Sequence, residues 1–598
     1  MSKRATIARA RRFRQRFACG SVHDLSQCRQ IAHMNWSWQV ARHGWFAIVA
    51  LVVLAACGGG SSSDGGGDAP SEQITLSGRI TFDRPLFKSA GVGLDLANPV
   101  VTPAREVVVE VLDARSNAVI AATTTDENGE YSVNVPANRN VFVRAKAQMR
   151  KTGSAPRWHF RVLNNTNGDA LYALDGSPFD TGTSDVTRNL HAPTGWGTSS
   201  YTGTRAAAPF AILDTVYQAK ELILSVDPNA TFADLDLFWS PQNRPTVGVF
   251  CPDTGDIGTT FYQYEGDRDE CPTPAPLPAG IYILGDFQGG AGDTDEFDQH
   301  VIAHELGHYF EDHFSRSDSI GGGHDGIERL DFRLAFSEGW GSAFAAMTLE
   351  DPLYRDSQGG VSDDFRVDLE ADNQTNEGWY SEASIAEILW DLYDDSTTEP
   401  HDTIALGFAP IYRTMTGFQR TTDALTSIFS FVQGLRSEAT ISASALSALL
   451  AGENIALADA FGSGERNDGG DATTLPLYID AIEGAPHLVC VSGRFGARDN
   501  NKLGNRKFFR FVNDRARLVT VRADGATNGV GTTAATNPDI FVYRRGAIVA
   551  AGLSDDRGSE VLPQIQLDAG LHIVEVYDFD LRNAPSTPRC MTLSIVGN

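Results

Sequence analysis

The rhythm of hydrophobic and polar positions changes four times along the chain. From Trp45 to Cys57 alternation is lost: "WFAIVALVVLAAC" is a single apolar run that follows Arg42 and His43. It is too short to span a bilayer as a helix and has the length and flanks of a signal-peptide core. From Ile74 to about Arg150 the pattern has period two in short pieces, among them "EVVVEVL" (Glu106 to Leu112) and Val141 to Ala145, divided by turn residues. This predicts a small β-sandwich over 74–150. Between about 155 and 482 the period lengthens. "APFAILDTVYQAKELIL" (Ala208 to Leu224) has helical spacing, "LDLFW" (Leu235 to Trp239) and "GIYILGD" (Gly280 to Asp286) read as strands, and a helix over His304 follows at once. Strands first and helices after indicate an α+β unit. From about His487 to Asn598 period two returns in "KFFRFV", "RLVTVRA", "PDIFVYRRGAIVA", "LDAGLHIVEVYDFD" and "MTLSIVG". The predicted class is multidomain, an α+β unit flanked by two β-sandwich domains.

Length agrees, since 598 residues exceed what one hydrophobic core organises. Nine of the 49 Lys and Arg and one of the 76 acids precede Cys57, which leaves 40 against 75 afterwards, near −35. Such a surface repels phosphate backbones, so nucleic acid is excluded as a partner class. The chain is read as a monomer.

The ending Leu54-Ala55-Ala56-Cys57 resembles the bacterial lipobox, in which the signal is cut before a Cys that then carries lipid. Residues 1–56 are accordingly read as signal peptide, with Met34 as the expected true start, and Cys57 as the lipidation site. "GGGSSSDGGGDAP" follows as a flexible tether completing 57–73. The implied location is the cell envelope of a bacterium, outer membrane or cell surface, held to the membrane by a lipid anchor. Four of the seven Cys remain in the exported part, an even number that suits an oxidising compartment. Four cysteines permit three connectivities; sequence order favours Cys251 with Cys271 and Cys490 with Cys590.

Within "HVIAHELGHYFEDHF", His304, Glu305 and His308 stand as H-E-x-x-H. Residues four apart on a helix project from one face, so both imidazoles can reach one zinc ion, with Glu305 beside them as general base toward a bound water. His300 lies one turn earlier and is read as second-shell or solvated. The metzincin continuation needs Gly and His where this chain has Glu311 and Phe314, and His313 is out of register by one. The third ligand must therefore come from elsewhere. "LAFSEGWGSAFAAM" (Leu334 to Met347) is an apolar, small-residue segment with one acid, Glu338, which if buried must be paired or bound to a metal. His324 in "GGGHDG" is the rival.

"SEGWGSAF" resembles the Glu-Gly-Trp segment of fungalysin-like and thermolysin-like gluzincin metallopeptidases. The resemblance implies a zincin-like fold for 155–482, with Zn²⁺ held by His304, His308 and Glu338 and with Glu305 as base. Where those families place an Asp that orients a zinc-binding His, this chain has Ser342, whose hydroxyl can still accept an imidazole N–H. Where thermolysin-like enzymes keep an oxyanion-donor His before a helix, this chain has Tyr380, and His401 stands in reserve. "TTTDENGEYSVNVP" (Thr123 to Pro136) resembles carboxypeptidase-regulatory-like, prealbumin-like domains, and residues 487–598 resemble the pre-peptidase C-terminal domain of secreted bacterial peptidases. The implied activity is that of a gluzincin-type zinc metallopeptidase, an endopeptidase acting on protein or peptide substrates. The alternatives are a surface adhesion lipoprotein on a retired zincin scaffold and a zinc hydrolase of a non-peptide amide. The acidic loop "GDTDEFD" (Gly292 to Asp298) has a composition that Ca²⁺ accepts, with no sequence pattern that assigns it.

Overall fold

A computed structural model describes residues 72–597 apart from 247–248, 265, 268–270, 272–275, 288–291, 359–362, 372–374, 396–402, 527–535 and 584–587. The expected export segment and tether, with Cys57, and His401 lie outside the described residues. The molecule is multidomain and largely β, with a small set of helices between two β-rich ends. Among the described residues no helix is long and apolar enough to cross a membrane.

The elements that place the site are β1 (Gln73–Arg84), β2 (Val107–Asp113), β3 (Val119–Thr124), β4 (Glu130–Pro136), β5 (Asn140–Lys151), β6 (Trp158–Asn164), α1 (Ala208–Val226), β7 (Leu235–Trp239), β8 (Phe261–Gln263), β9 (Gly280–Ile283), α2 (Gln299–His313), α3 (Phe332–Leu349), β10 (Leu353–Gln358), β11 (Asp363–Asp368) and α4 (Glu382–Asp391). One sheet runs in the order β8-β9-β7-β6-β5-β2-β3. β6 pairs antiparallel with β5 but parallel with β7, and β7 parallel with β9. β8 then closes the row antiparallel to β9, through Tyr262 against Ile281.

This sheet crosses the boundary expected at 150–155. β5 and β6 are hydrogen-bonded across it, from Lys151 against Trp158 to Gln148 against Arg161. The segment Val186–Ala192 also returns to β1. Period-two patterning cannot show this, because a strand alternates in the same way whichever neighbour it pairs with. The inner strands confirm their position by burial: β9 is buried at all four residues, as expected where helices cover a parallel row.

The C-terminal sandwich packs one five-stranded against one four-stranded sheet. Alternate residues of the five-stranded sheet serve two cores. Phe509, Val542, Val574 and Val576 face the partner sheet, while Phe508, Tyr543, Ile573 and Tyr577 join the core built by the helices. The unit is therefore docked by an apolar face. Cys251 is bonded to Cys271 and Cys490 to Cys590, the pairing that sequence order favoured.

At the docked face lies a buried ionic knot. Arg333 and Glu575 are both fully buried, with Arg333 Nη1 donating to Glu575 Oε2 at 2.7 Å and its other nitrogens to Asp331 at 2.9 Å. Arg506 and the Tyr543 hydroxyl also donate to Glu575. Asp331 is the N-cap of α3 and accepts from the Arg333 N–H, so the knot fixes the start of that helix. Burial alone would raise the Glu575 carboxyl, but Arg333 and Arg506 outweigh it and hold it at about 2.

Breaking a buried pair leaves a charge without compensation, so Glu575→Gln is expected to destabilise the protein by roughly 3–5 kcal/mol at neutral pH. A depressed carboxyl contributes stability above its unfolded value near 4.5 that is lost as pH falls toward 2. Denaturant unfolding at pH 7, 5 and 3 checks this: the deficit of the variant should be full at the first and smaller at the last.

Candidate metal centre

α2 and α3 lie side by side, and two glycines set how closely. A Cβ on Gly307 would stand 2.9 Å from the Gly341 Cα, and a Cβ on Gly341 would meet the His304 ring at 2.8 Å. Neither side chain fits a packed interior at that spacing. The Trp340 indole N–H bridges the same helices, donating to Gly307 O at 3.0 Å. Gly339 works on the other side of α3, where a Cβ would press on Ile385 of α4 at 2.7 Å. The small residues of "SEGWGSAF" are thus explained by two close helix approaches, and Glu338 is left facing α2.

His304 Nε2 lies 3.2 Å from His308 Nε2 and 3.2 Å from Glu338 Oε2, and His308 Nε2 lies 3.4 Å from the same oxygen. Three donors bound tetrahedrally to one zinc at about 2.0–2.1 Å would stand roughly 3.3–3.4 Å apart. The triangle has the size of a zinc face. Two ring nitrogens aimed at each other and at one carboxylate oxygen are also the chemistry of a cation site, since no arrangement of one proton satisfies all three. The residues present fit zinc.

The two imidazole rings are held from behind. Ser342 Oγ is 3.2 Å from His304 Nδ1, at the position where the sequence set it. His308 Nδ1 is 3.5 Å from Glu311 Oε2 and 3.4 Å from Ser337 Oγ, while Ser337 donates to Glu311 at 2.5 Å. Outer partners of this kind fix ring orientation and basicity. Glu311 escaped sequence reasoning because its place had been tested only against the metzincin Gly; its i, i+3 spacing from His308 was the available signal.

Glu305 is buried, and its Oε2 accepts the backbone N–H of Tyr262 on β8 at 2.6 Å. Burial raises its carboxyl, with the charges of His308 and His304 opposing. Burial would depress His308, yet the Glu338 and Glu311 carboxylates raise it well above the usual imidazole range. Burial would likewise raise Glu338, but His324 and His308 hold it well below the ordinary value.

His324 stands at the rim. Its Nε2 is 3.4 Å from Glu338 Oε2 and its Nδ1 2.8 Å from Glu382 Oε2, with 30% of the side chain exposed. His304, His308 and Glu338 form a group whose ligand atoms all lie within 4.8 Å of one another, and His324 is outside it. Against the depressing effect of burial, Glu338 and Glu382 raise its imidazole to about 10. The Gly-rich loop that carries it is held by the C-terminal unit: Asn501 Nδ2 donates to Gly321 O and Gly323 O at 3.0 and 3.1 Å, and Lys502 Nζ to Gly323 O at 2.6 Å.

Tyr380 is not brought to the cluster, which corrects the expected oxyanion role. It is buried, and its hydroxyl lies 3.1 Å from both Glu377 O and Asn467 Oδ1, with Trp379 and Arg329 against the ring. A helix-start position does not fix the direction of the side chain. His300 is likewise neither ligand nor solvated: it is buried, with Nε2 3.1 Å from Asp351 O.

Residues 290–451 match the family model described as the Mycolysin C-terminal domain. The matched span contains both helices of the cluster and places it in a peptidase-family context. No curated protein matches the chain. Among solved structures, the pre-peptidase C-terminal domain of the Bacillus anthracis collagenase is 11% identical, over 20% of this chain and 93% of that one, with a TM-score of 0.15. A putative carbohydrate binding protein from Pseudomonas aeruginosa is 9% identical (20% and 89% covered, TM-score 0.13). The periplasmic lysozyme inhibitor PliG of Aeromonas hydrophila is 13% identical (20% and 95% covered, TM-score 0.13).

Gly341→Ala tests the packing account. The added methyl must displace His304 or part the helices, at a cost of about 1–3 kcal/mol, and the substituted protein should bind zinc at least tenfold more weakly in a competition titration.

Proposed function

We propose that this chain is an exported zinc metallopeptidase of gluzincin type, in which His304, His308 and Glu338 hold the metal and Glu305 is the general base. The observation that carries the reading is the triangle of three donor atoms 3.2 to 3.4 Å apart with a second carboxylate, that of Glu305, buried beside it. A structural zinc site has no use for that carboxylate. When bound, zinc supplies Lewis-acid polarisation of a carbonyl and acidification of a water.

Glu305 is suited to accept and hold the proton of the attacking water, because burial favours its neutral form. The Tyr262 N–H binds Oε2 and leaves Oε1 as the proton acceptor. β8 is the last strand of its sheet, so its outer edge can pair with an extended peptide laid beside Glu305. That supports a peptide substrate. His324, held at Nδ1 by Glu382, is the group at the rim able to donate from Nε2 to the carbonyl oxygen as it gains charge. The apolar run ending at Cys57 and the two disulfides support export, with the lipid anchor at Cys57 as part of this proposal.

The test uses purified protein, a peptide library and zinc analysis. Glu305→Gln should keep one zinc and lose at least about 10²-fold in kcat, while Glu338→Gln should lose most of its zinc. His324→Ala should retain zinc and lose roughly 10²–10³-fold in kcat. Tyr380→Phe should stay within about threefold of wild type. Normal zinc in Glu338→Gln together with loss of zinc in His324→Ala would reject the ligand set. Wild-type protein with one zinc and no cleavage of any peptide would reject the peptidase reading.

A further inference from the structure

Three consecutive glycines, Gly321 to Gly323, precede His324. Glycine loses more backbone freedom on ordering than any other residue, so this loop cannot fix an imidazole by its own propensity. Glu382 holds the ring at Nδ1, but the backbone that carries it is held by the C-terminal unit.

The grip closes on both sides of Gly323. Its N–H donates to Asp499 Oδ2 at 3.2 Å, and its carbonyl accepts from Asn501 Nδ2 at 3.1 Å and from Lys502 Nζ at 2.6 Å. The Asn501 amide nitrogen also donates to Gly321 O at 3.0 Å. Lys502 goes on to Glu328 Oε2 at 2.6 Å, further along the same segment. Asn501 is fully buried, and its Oδ1 accepts nothing among the described residues. The side chain is committed to the loop through its nitrogen.

Two observations stand apart from these bonds. Asp499 and Asn500, directly before Asn501, have φ of 59° and 50°, the left-handed region, which costs free energy in any residue but glycine. A Cβ on Gly322 would stand 2.7 Å from Asn501 Nδ2 and 3.0 Å from Asp499 Cβ, so only glycine lets the loop come this close. Docking of the unit needs neither feature, because its apolar face and the Glu575 knot supply that elsewhere.

We propose that the C-terminal unit completes the active site, with Asn501 as the positioning residue for His324 and with Asp499 and Lys502 as its supports. This rests on the reading of His324 as the donor to the carbonyl oxygen. A donor is effective only where its nitrogen stands at the position of the developing charge, and a displacement of about 1 Å costs on the order of 10²-fold in rate. Asn501 acts on that position through the loop backbone.

The experiment uses the full exported chain loaded with zinc and one fluorogenic peptide drawn from the library. Asn501→Ala and Lys502→Met should each keep one zinc and lose at least about tenfold in kcat, with KM within about threefold. In a His324→Ala background the same substitutions should change kcat by less than about twofold, because the group they position is gone. Gly322→Ala, which disturbs the contact from the loop side, should reproduce the loss and carries the test if either of the others fails to fold. An equal loss in both backgrounds marks a merely structural role and would overturn the proposal, as would an unchanged kcat. Amide hydrogen exchange reads the hold without a substrate: over residues 319–328 it should quicken at least about tenfold in Asn501→Ala while α2 and α3 stay protected. Wild-type protein with one zinc and no cleavage would reject the peptidase reading and the catalytic role of His324, whereas unchanged exchange would reject the hold on the loop.

Discussion

The site depends on how closely two helix backbones approach. With Gly307 against Gly341, α2 and α3 come near enough for the His304 and His308 rings to reach the Glu338 carboxylate. Any side chain at either glycine parts the donors, because packed interiors have no room to absorb a methyl without displacement. The triangle, the second contacts of Ser342 and Glu311, and the position of Glu305 all follow from that one approach. Gly339 plays the same part toward α4, and α4 brings Glu382 to His324.

Distant elements hold this geometry from three sides. The C-terminal unit caps α3 through the Asp331, Arg333 and Glu575 knot and ties down the loop that carries His324. The sheet presents β8 to Glu305. Asp298 Oδ2, accepting from Ser357 N and Oγ, joins β10 to the start of α2. A unit whose pattern suggested an appended sandwich is thus part of the framework that holds the cluster, since alternate faces of its five-stranded sheet are buried in two different cores.

The sequence made local chemistry legible and left its assembly hidden. An i, i+4 pair is a property of one helix, so His304, Glu305 and His308 could be read directly. Glu338 could be read because one acid in an apolar segment demands a partner, and Ser342 only through the resemblance, because it stands where the resembled families place an orienting Asp. Tyr380 failed because a helix-start position does not say where a phenol points. His324 was weighed only as a ligand, since its pairing with Glu382, 58 residues away, has no local signature. The boundary near 150–155 was blurred because a strand's pattern records its faces and not its neighbours.

The central claim is that two imidazoles and one carboxylate from two helices hold a single ion. Zinc K-edge X-ray absorption on the purified protein tests it most directly. The account predicts four-coordinate zinc at about 2.0 Å, with two imidazole scatterers and oxygen donors for the rest. That signature should be unchanged in His324→Ala and lost in Glu338→Gln. A shell with three imidazoles, one of which disappears in His324→Ala, would contradict it.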